Sequence, residues 1–177
     1  MDIEELLRAA KRGDEVAFYA LMSSQKERLY RIAYAYLKNE DDALEAIQET
    51  TYRAWKTFGR LREAKLFPTW IVRILLNCCN DEWKRKRRFA RAVPAAERID
   101  ERTDTKESEW ATRLQVAEAV SRLEPKYKQL IVLKYFEDMT LAEIAETLER
   151  PLGTVKTWLH QALRSMRPLM EEEENGR

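Results

Sequence analysis

The chain has 177 residues, of which 36% are charged, and its formal net charge is only +1. This length allows one ordinary domain or two small ones, and the near-neutral total charge is no evidence for or against a nucleic-acid partner. No apolar run approaches the ~18 residues of a membrane span, and four glycines and five prolines predict helix almost everywhere and no sheet.

Three helices are predicted in the first third of the chain. The first covers residues 3–10, and the second begins with Asp14 as its N-cap and includes the aromatic run at residues 29–37, which we interpret as core. The third begins at Asn39, with three acidic residues in its first turn, and ends near Phe58. The charged N-terminus is unlike a secretory leader, so we expect a cytoplasmic, all-α protein.

A fourth helix is predicted after a loop at residues 59–67 and begins at Pro68. Cys78 and Cys79 lie in it as neighbours, where a disulfide between them would be strained, so we predict free thiols. The helix ends in KRKRRFAR at residues 84–91, where six of eight residues are cationic. Cations that neutralise phosphates release counterions, so this run is a candidate nucleic-acid surface, although most charge runs are merely solvated.

Aromatic residues flank the basic run in the sequence. Phe58, Phe67, Trp70 and Trp83 bring rings to this region, and opened nucleic-acid bases stack on such rings. Phe67 and Trp70 also lie at helical spacing with apolar neighbours, so core packing competes with the stacking role. We assign Trp70 to the core and leave both alternatives open for Trp83.

Residues 93–110 are rich in alanine, proline and charge and have few groups to bury, so they are predicted to form a flexible linker. The sequence therefore predicts two small helical domains, at residues 1–92 and 111–170, followed by an acidic tail at residues 171–177. The first helix of the second domain has an apolar side formed by Leu114, Val116, Ala117, Val120 and Leu123. Pro125 then begins another helix.

Residues 139–163 are typical of a helix-turn-helix. Thr140 and Glu143 form a T-x-x-E capping box, and Met139 can pack onto Ile144 across the cap. An apolar stripe follows at Leu141, Ile144, Ala145 and Leu148. A break is predicted near Glu149 and Arg150, because Pro151 suits the first turn of a second helix.

The second helix of this pair has one apolar and one polar side. Its predicted buried side comprises Val155, Trp158, Leu159, Ala162 and Leu163. The polar side chains suit base edges and phosphates and comprise Lys156, Thr157, His160, Gln161 and Arg164. A plain helical hairpin with a solvated polar face is the alternative explanation.

The sequence contains no recognisable set of catalytic residues. His160 is the only histidine, and there is no phosphate-binding glycine loop, GxSxG or HExxH motif. We therefore predict a protein that is not an enzyme and has no metal or cofactor. A helical enzyme and a purely protein-binding adaptor are the disfavoured alternatives.

Four stretches, in this order, resemble the extracytoplasmic-function group of bacterial RNA polymerase sigma factors. They are RGDEVAF at residues 12–18, DALEAIQETTYRAW at 42–55, FPTWIVRILLNCCNDEWKRKRR at 67–88 and LEPKYKQLIVLKYFEDMTLAEIAETLERPLGTVKTWLHQAL at 123–163. The resemblance implies a sigma region 2 domain at residues 1–92 and a region 4 domain at 111–170. It also implies a factor that binds core RNA polymerase, recognises the −10 and −35 elements of promoter DNA, and helps to open the duplex without catalysis.

The resemblance also assigns roles to individual residues. The residues implied in polymerase binding are Asp42, Glu45, Gln48, Glu49 and Arg53. Those implied in −10 DNA binding are Arg60, Arg62 and Lys65, in the loop that would capture a flipped base, and Asn77, Asn80, Asp81, Lys84, Arg85 and Arg88 on the following helix. Those implied in −35 DNA binding are Thr154, Lys156, Thr157, Trp158, His160, Gln161 and Arg164.

The resemblance further implies an anti-sigma factor as a partner, often membrane-linked, which would hold the chain at the membrane until a signal arrives. The chain differs from the family's common pattern at Glu149, where glycine is usual, and at Trp158. The competing hypothesis is a stand-alone helix-turn-helix regulator that binds duplex operators without polymerase.

Overall fold

The computed structural model describes residues 2–92 and 119–175, with only the backbone of residues 169–175. Every regular element in these ranges is helical, as predicted, and none is a strand. The helices are α1 (Ile3–Lys11), α2 (Glu15–Leu37), α3 (Glu40–Thr57), α4 (Phe67–Ala92), α5 (Pro125–Tyr135), α6 (Leu141–Leu148) and α7 (Leu152–Asn175). Two 3-10 turns, Phe58–Arg60 and Ala64–Leu66, connect α3 to α4.

We call residues 2–92 the N-module and residues 119–175 the C-module. The predicted linker at residues 93–110 lies outside the described residues, and so do Leu114, Val116 and Ala117 of the first helix predicted in the second domain. Val120 and Leu123 are described, and both are buried. The boundary between the two predicted domains therefore remains a prediction.

The predicted N-caps of the N-module are confirmed. The Asp14 carboxylate accepts a hydrogen bond from the backbone N–H of Ala17 at 3.0 Å. The side-chain oxygen of Asn39 accepts one from the backbone N–H of Asp42 at 2.9 Å. Each bond satisfies a donor that has no partner within its own helix, and so fixes where α2 and α3 begin.

The N-module core lies between α2, α3 and α4, which pack pairwise against one another. The buried side of α3 includes the alanines Ala43, Ala46 and Ala54, whereas α2 and α4 contribute larger side chains such as Leu29 and Leu75. Small residues allow α3 to approach its neighbours closely, so its long charged side chains point outward. The candidate polymerase-binding side chains lie on this helix.

Cys78 and Cys79 are free thiols, as predicted, and both are buried. Burial raises the pKa of each thiol above its ordinary value. A thiol that stays protonated is a poor nucleophile and metal ligand. These residues therefore serve as small apolar side chains in the α4 core.

The helix-turn-helix of the C-module begins as predicted. The Thr140 hydroxyl accepts a hydrogen bond from the Glu143 N–H at 3.2 Å, and the Glu143 carboxylate accepts one from the Thr140 N–H at 2.7 Å. Bonds from the backbone and hydroxyl of Thr140 hold the pKa of Glu143 below its ordinary value. The capping box therefore defines the start of α6.

Two details of α7 differ from the prediction. Leu163 is 41% exposed, although its spacing put it on the buried side. The α5 helix packs against α7 and covers only part of its apolar face. Pro151 lies immediately before α7, which begins at Leu152, rather than inside its first turn.

Two pairs of helices form the main contacts between the two modules. Helix α2 packs against α5, and α4 packs against α6. Arg28 and Arg31 of α2 both pair with Glu137, which follows α5. These contacts join residues more than 100 positions apart in the sequence.

We expect Thr140→Ala to lower the free energy of unfolding of the full chain by about 1 kcal/mol, because the α6 N-cap loses its hydroxyl. Ser165→Ala is the matched control: its hydroxyl bonds the Gln161 carbonyl inside α7, and its loss should change stability by less than about 0.5 kcal/mol. Urea unfolding of both variants measures the difference. Equal losses would contradict a capping role.

Candidate nucleic-acid interface

The five candidate polymerase-binding residues on α3 divide into two groups. Glu45 and Gln48 are exposed, whereas the other three are bonded within the N-module. Arg53 donates to Glu49 at 2.6 Å and to Asp81 of α4 at 2.9 Å. Both hydrogen bonds raise the pKa of Arg53, and the bond to Glu49 has the larger effect. Glu45 and Gln48 are thus the members of this set most available to a partner.

Asp42 connects α3 to α4 at a second point. It is buried, and its carboxylate pairs with the ammonium of Lys86 at 2.6 Å. Since a buried carboxylate is costly without a counter-charge, Lys86 stabilises the packing of α3 on α4. The acidic surface of α3 and the basic surface of α4 are therefore parts of one rigid unit.

The basic end of α4 exposes most of the candidate −10 residues. Asn77, Asp81, Lys84 and Arg88 are all exposed. Arg85 is also exposed, but its guanidinium donates a hydrogen bond to the carboxylate of the buried Glu82 at 3.0 Å. Hydrogen bonding to Glu82 raises the pKa of Arg85. Although Arg85 is bonded to Glu82, its guanidinium can still present a positive charge to a phosphate.

Asn80 differs from the other candidate −10 residues. It is half-buried, and its side-chain oxygen is fully buried without a hydrogen-bond partner. Trp83, one turn further along α4, is also half-buried, and the Arg87 guanidinium lies 5.1 Å from its ring centroid. Trp83 thus lies beside a cation of its own helix, whereas the side-chain oxygen of Asn80 accepts no hydrogen bond.

The aromatic residues near the loop pack inward, contrary to the stacking role considered for them. Phe58 and Phe67 are 2% and 0% exposed, and their ring centroids lie 6.2 Å apart. Trp70 packs against Phe58 with centroids 5.9 Å apart, consistent with its assignment to the core. Since the rings of Phe58 and Phe67 are covered by protein, they are unavailable to a base, whereas Trp70 is half-buried.

The loop between α3 and α4 exposes its cations and borders a groove. Arg60, Arg62 and Lys65 are all exposed. The groove, of about 350 Å³, lies between α1 and this loop. It is lined by Glu4, Leu7, Arg8, Lys11, Arg62, Glu63, Ala64 and Lys65. The lining includes both cationic and acidic side chains, and Lys65 pairs with Glu63 at 2.9 Å.

The polar side of α7 is largely solvent-facing. The exposed members of the candidate −35 set are Lys156, Thr157, His160, Gln161 and Arg164, whereas Thr154 and Trp158 are half-buried. The side-chain oxygen of Gln161 accepts a hydrogen bond from the Tyr127 hydroxyl at 2.7 Å. This bond orients the Gln161 amide on the outer face of the helix.

The turn between α6 and α7 contains a non-glycine residue in the left-handed region. Glu149 has φ 51° and ends α6, at the position where glycine is usual in such turns. This conformation is costly for a residue with a Cβ atom. The Glu149 carboxylate also pairs with Arg73 of α4, so the turn residue is part of the contact between modules.

Several residues of the inter-module contact were missed by the sequence analysis, chiefly Lys128 and Glu137. Lys128 is 1% exposed and lies among the buried side chains of α5. Its spacing from Ile131 and Val132 places a charge on the apolar stripe of α5, and this is the signal that could have identified it. Glu137 gives no such signal, because its partners are distant in the sequence.

Two further observations concern membranes and metals. Along residues 2–92 and 119–175, no helix is long and apolar enough to cross a bilayer. Within the same ranges, no three or more His, Cys, Asp or Glu side chains gather where a metal ion could bind.

Both modules match known protein families. Residues 21–89 match the family described as Sigma-70 region 2, and residues 113–166 match Sigma-70, region 4. The RNA polymerase sigma factor SigV of Bacillus subtilis is 30% identical over 164 residues, which cover 93% of this chain and 97% of SigV. The ECF RNA polymerase sigma factor SigW of the same organism is 27% identical, over 97% of this chain and 98% of SigW.

Two solved structures are similar in fold. CnrH, solved in complex with the cytosolic domain of CnrY, superposes with a TM-score of 0.69 at 23% identity over 97% of this chain and 99% of CnrH. The sigma factor RpoE of Bartonella quintana, solved with the anti-sigma factor NepR, has a TM-score of 0.63 at 15% identity over 86% of this chain and 93% of its own.

We expect Glu149→Gly to raise the free energy of unfolding by about 0.5 to 1 kcal/mol, because glycine relieves the left-handed strain and the Glu149 carboxylate lost from the pair with Arg73 is largely exposed. Glu146→Gly is the matched control, since it places glycine inside α6 and should cost about 1 kcal/mol. Urea unfolding should therefore give changes of opposite sign. Destabilisation by both would show that Glu149 carries no conformational strain.

Proposed function

We propose which surface of this chain contacts the polymerase and which surfaces contact the −10 and −35 elements. The chain belongs to the extracytoplasmic-function group of bacterial RNA polymerase sigma factors. As a sigma factor of this group, the chain binds core RNA polymerase, directs it to promoters through −10 and −35 contacts, and promotes initiation of transcription. Our assignment of the polymerase-binding and DNA-binding surfaces rests on one observation. The exposed acidic face of α3 and the exposed basic face of α4 are fastened together by Arg53 and Lys86.

In our proposal, Glu45 and Gln48 contact the polymerase directly. Asp42 and Arg53 act mainly by holding α3 against α4, and Glu49 acts by orienting Arg53, because their charged atoms already have partners in the chain. An exposed carboxylate on a rigid helix suits a basic partner surface, where complementary charge raises both association rate and specificity.

For the −10 element, the loop cations Arg60, Arg62 and Lys65 and the α4 cations Lys84, Arg85 and Arg88 would contact phosphates. Asn77, Asn80 and Asp81 would contact base edges, which carboxamide and carboxylate groups can recognise. Flipping or unstacking a base costs a few kcal/mol, and contacts to the opened strand would offset that cost without any hydrolysis.

For the −35 element, α7 would enter the major groove of the duplex. Lys156 and Arg164 would contact phosphates or guanine, and Thr157, His160 and Gln161 would contact base edges. Thr154 and Trp158 are half-buried, so we assign them to the edge of this contact. The Arg150 guanidinium lies 5.9 Å from the Trp158 ring centroid and would add charge beside the groove.

We further propose that the chain is not itself an enzyme and acts in the cytoplasm. An anti-sigma factor would cover its polymerase-binding and DNA-binding faces, and a membrane-linked one would hold it at the membrane. Support for such a partner is by analogy, since RpoE of Bartonella quintana was solved with an anti-sigma factor.

Run-off transcription with purified core polymerase tests the proposed function as a whole. Promoter-specific transcripts that require both the chain and the core enzyme are the expected result. Tight, specific gel-shift binding of the free chain to duplex operators at physiological salt, without any affinity for the core enzyme, would instead identify a stand-alone regulator.

We expect Glu45→Lys to weaken binding to core polymerase by about tenfold or more, because it places a cation against a basic surface. Glu27→Lys, a charge reversal at an exposed position on α2, is the control and should leave core affinity unchanged. Fluorescence-detected titration of the labelled chain with core enzyme measures both. Equal affinities for the two variants would remove Glu45 from the interface.

We expect Arg164→Ala to weaken binding of a −35 duplex and to lower the slope of log affinity against log salt by about 0.9, the value for one phosphate contact. Lys26→Ala removes an exposed cation from α2 and should leave both quantities unchanged. Binding is measured by anisotropy at several salt concentrations. An unchanged slope for Arg164→Ala would mean that this arginine makes no phosphate contact.

A further inference from the structure

The last turns of α4 expose an aromatic ring among cations. The last buried residue of this helix is Glu82, and every residue from 84 to 92 is exposed. Phe89 is the one large apolar side chain of that segment, and it is 70% exposed. A single exposed apolar residue is common on protein surfaces and needs no function. The surroundings of Phe89 are what distinguish it.

The ring of Phe89 is uncovered, unlike other exposed rings of the N-module. The ammonium of Lys56 lies 4.4 Å from the ring centroid of Tyr52, and Trp55 packs edge-on against Phe18. In the part of the chain that the structure describes, no cation is stacked on the ring of Phe89 and no second aromatic ring packs against it. A planar partner can therefore reach this ring.

The two cations one turn before Phe89 are held away from its ring. The guanidinium of Arg85 is bonded to Glu82, which lies further back along α4. The ammonium of Lys86 pairs with Asp42 of α3 at 2.6 Å. Long cationic side chains often cover neighbouring apolar surface with their stems. Here both are directed toward the N-module, so the ring stays open.

Phe89 borders a polar stripe along α4 that includes candidate −10 residues. The exposed members of the stripe follow one another at alternating spacings of four and three residues, and they are Asn77, Asp81, Lys84, Arg88 and Arg91. This spacing keeps them on one face of a helix. Arg91 extends the stripe by one turn beyond the residues considered so far. Phe89 follows Arg88 directly and lies beside that last turn.

The combination of cations and an open ring favours single-stranded nucleic acid over a protein partner. An unpaired strand offers phosphates to cations and planar bases to an aromatic ring. A protein surface could cover the ring, but it would also have to neutralise the six cationic residues of the segment 84–91. Burying cations without matching acids is costly.

We propose that Phe89 stacks on an unpaired base of the opened −10 strand, and that Arg91 binds a phosphate beside it. The site is at the end of α4 farthest from the loop at residues 59–67. The inference rests on the proposed function in one respect, the contact of α4 with the −10 strand. It deepens that function by adding a stacking contact that the buried rings of Phe58 and Phe67 do not supply.

Stacking on Phe89 would contribute to promoter opening as well as to affinity. The ring can stack only on a base that has left its own base pair. Unpairing and unstacking a base costs a few kcal/mol, and a contact made only in the opened state offsets part of that cost. Because every base has an aromatic face, Phe89 stabilises the opened strand without selecting its sequence.

The test measures binding of forked promoter DNA to the full chain in complex with core polymerase. The DNA comes from a promoter that is active in the run-off assay, with its −10 strand unpaired. Phe89→Ala should weaken binding at least about fivefold, the loss expected for one stacked base. The slope of log affinity against log salt should not change, because no charge is removed. Phe89→Trp should retain the affinity.

Arg91→Ala should lower that slope by about 0.7, the value for one phosphate contact of a single strand. Tyr19→Ala is the matched control for the ring, since Tyr19 is a 73% exposed aromatic residue on α2. It should leave both affinity and slope unchanged. Substitution of exposed side chains rarely changes stability by more than about 0.5 kcal/mol, so each variant is expected to fold.

Abasic sites, placed at one unpaired position of the strand at a time, identify the stacked base. At one position, and there alone, Phe89→Ala should bind no more weakly than Tyr19→Ala, because the base that the ring contacts is already missing. Such a cycle isolates the coupling between one side chain and one base.

Equal affinities of Phe89→Ala and Tyr19→Ala for the intact fork would overturn the stacking role. The proposed function would survive that result if Arg88→Ala still weakened binding. A loss in Phe89→Ala that persists at every abasic position, or that appears in core binding without DNA, would assign the ring to another contact and also overturn the proposal. Failure of the unsubstituted complex to bind the fork would overturn the proposed function and this role with it.

Discussion

The seam between α3 and α4 is the contact on which the N-module surfaces depend. Alanines give α3 little volume on its buried side, so α4 can pack closely against it. Close packing brings an acidic helix beside a basic one, and Arg53, Asp42 and Lys86 neutralise the charges that meet at the seam. The charges left over face away from each other. A basic protein surface and a polyanion can therefore bind the same rigid unit from different sides.

The two candidate DNA-binding surfaces are built differently. On α4, cations lie beside acidic neighbours such as Glu82, whose bonds fix the position of Arg85. On α7, the exposed polar side chains project from a helix whose other side packs against α5 and α6. A fixed cationic surface suits a strand held by its phosphates, whereas a free-standing helix face suits a groove. Their separation within one chain fits contacts to two promoter elements.

The sequence predicted local structure well because local rules govern it. The caps at Asp14 and Asn39 and the capping box at Thr140 depend on residues within one turn, and all three are as predicted. Burial was harder to predict, because helical spacing identifies an apolar side without saying how much of it a neighbour covers. Phe58 is therefore buried where stacking was considered, and Leu163 is exposed where burial was expected. The ion pairs of Glu137 with Arg28 and Arg31 join residues far apart in the sequence, so helical periodicity gives no signal for them.

The buried cysteines of α4 have a consequence for signalling. The chain has two cysteines, and both are buried, with thiol pKa values raised above the ordinary value. Oxidants attack the exposed thiolate far faster than a buried thiol, so the folded chain offers them no reactive cysteine. An oxidative stimulus that acts on thiols would therefore have to be sensed by another molecule and conveyed to this chain through binding.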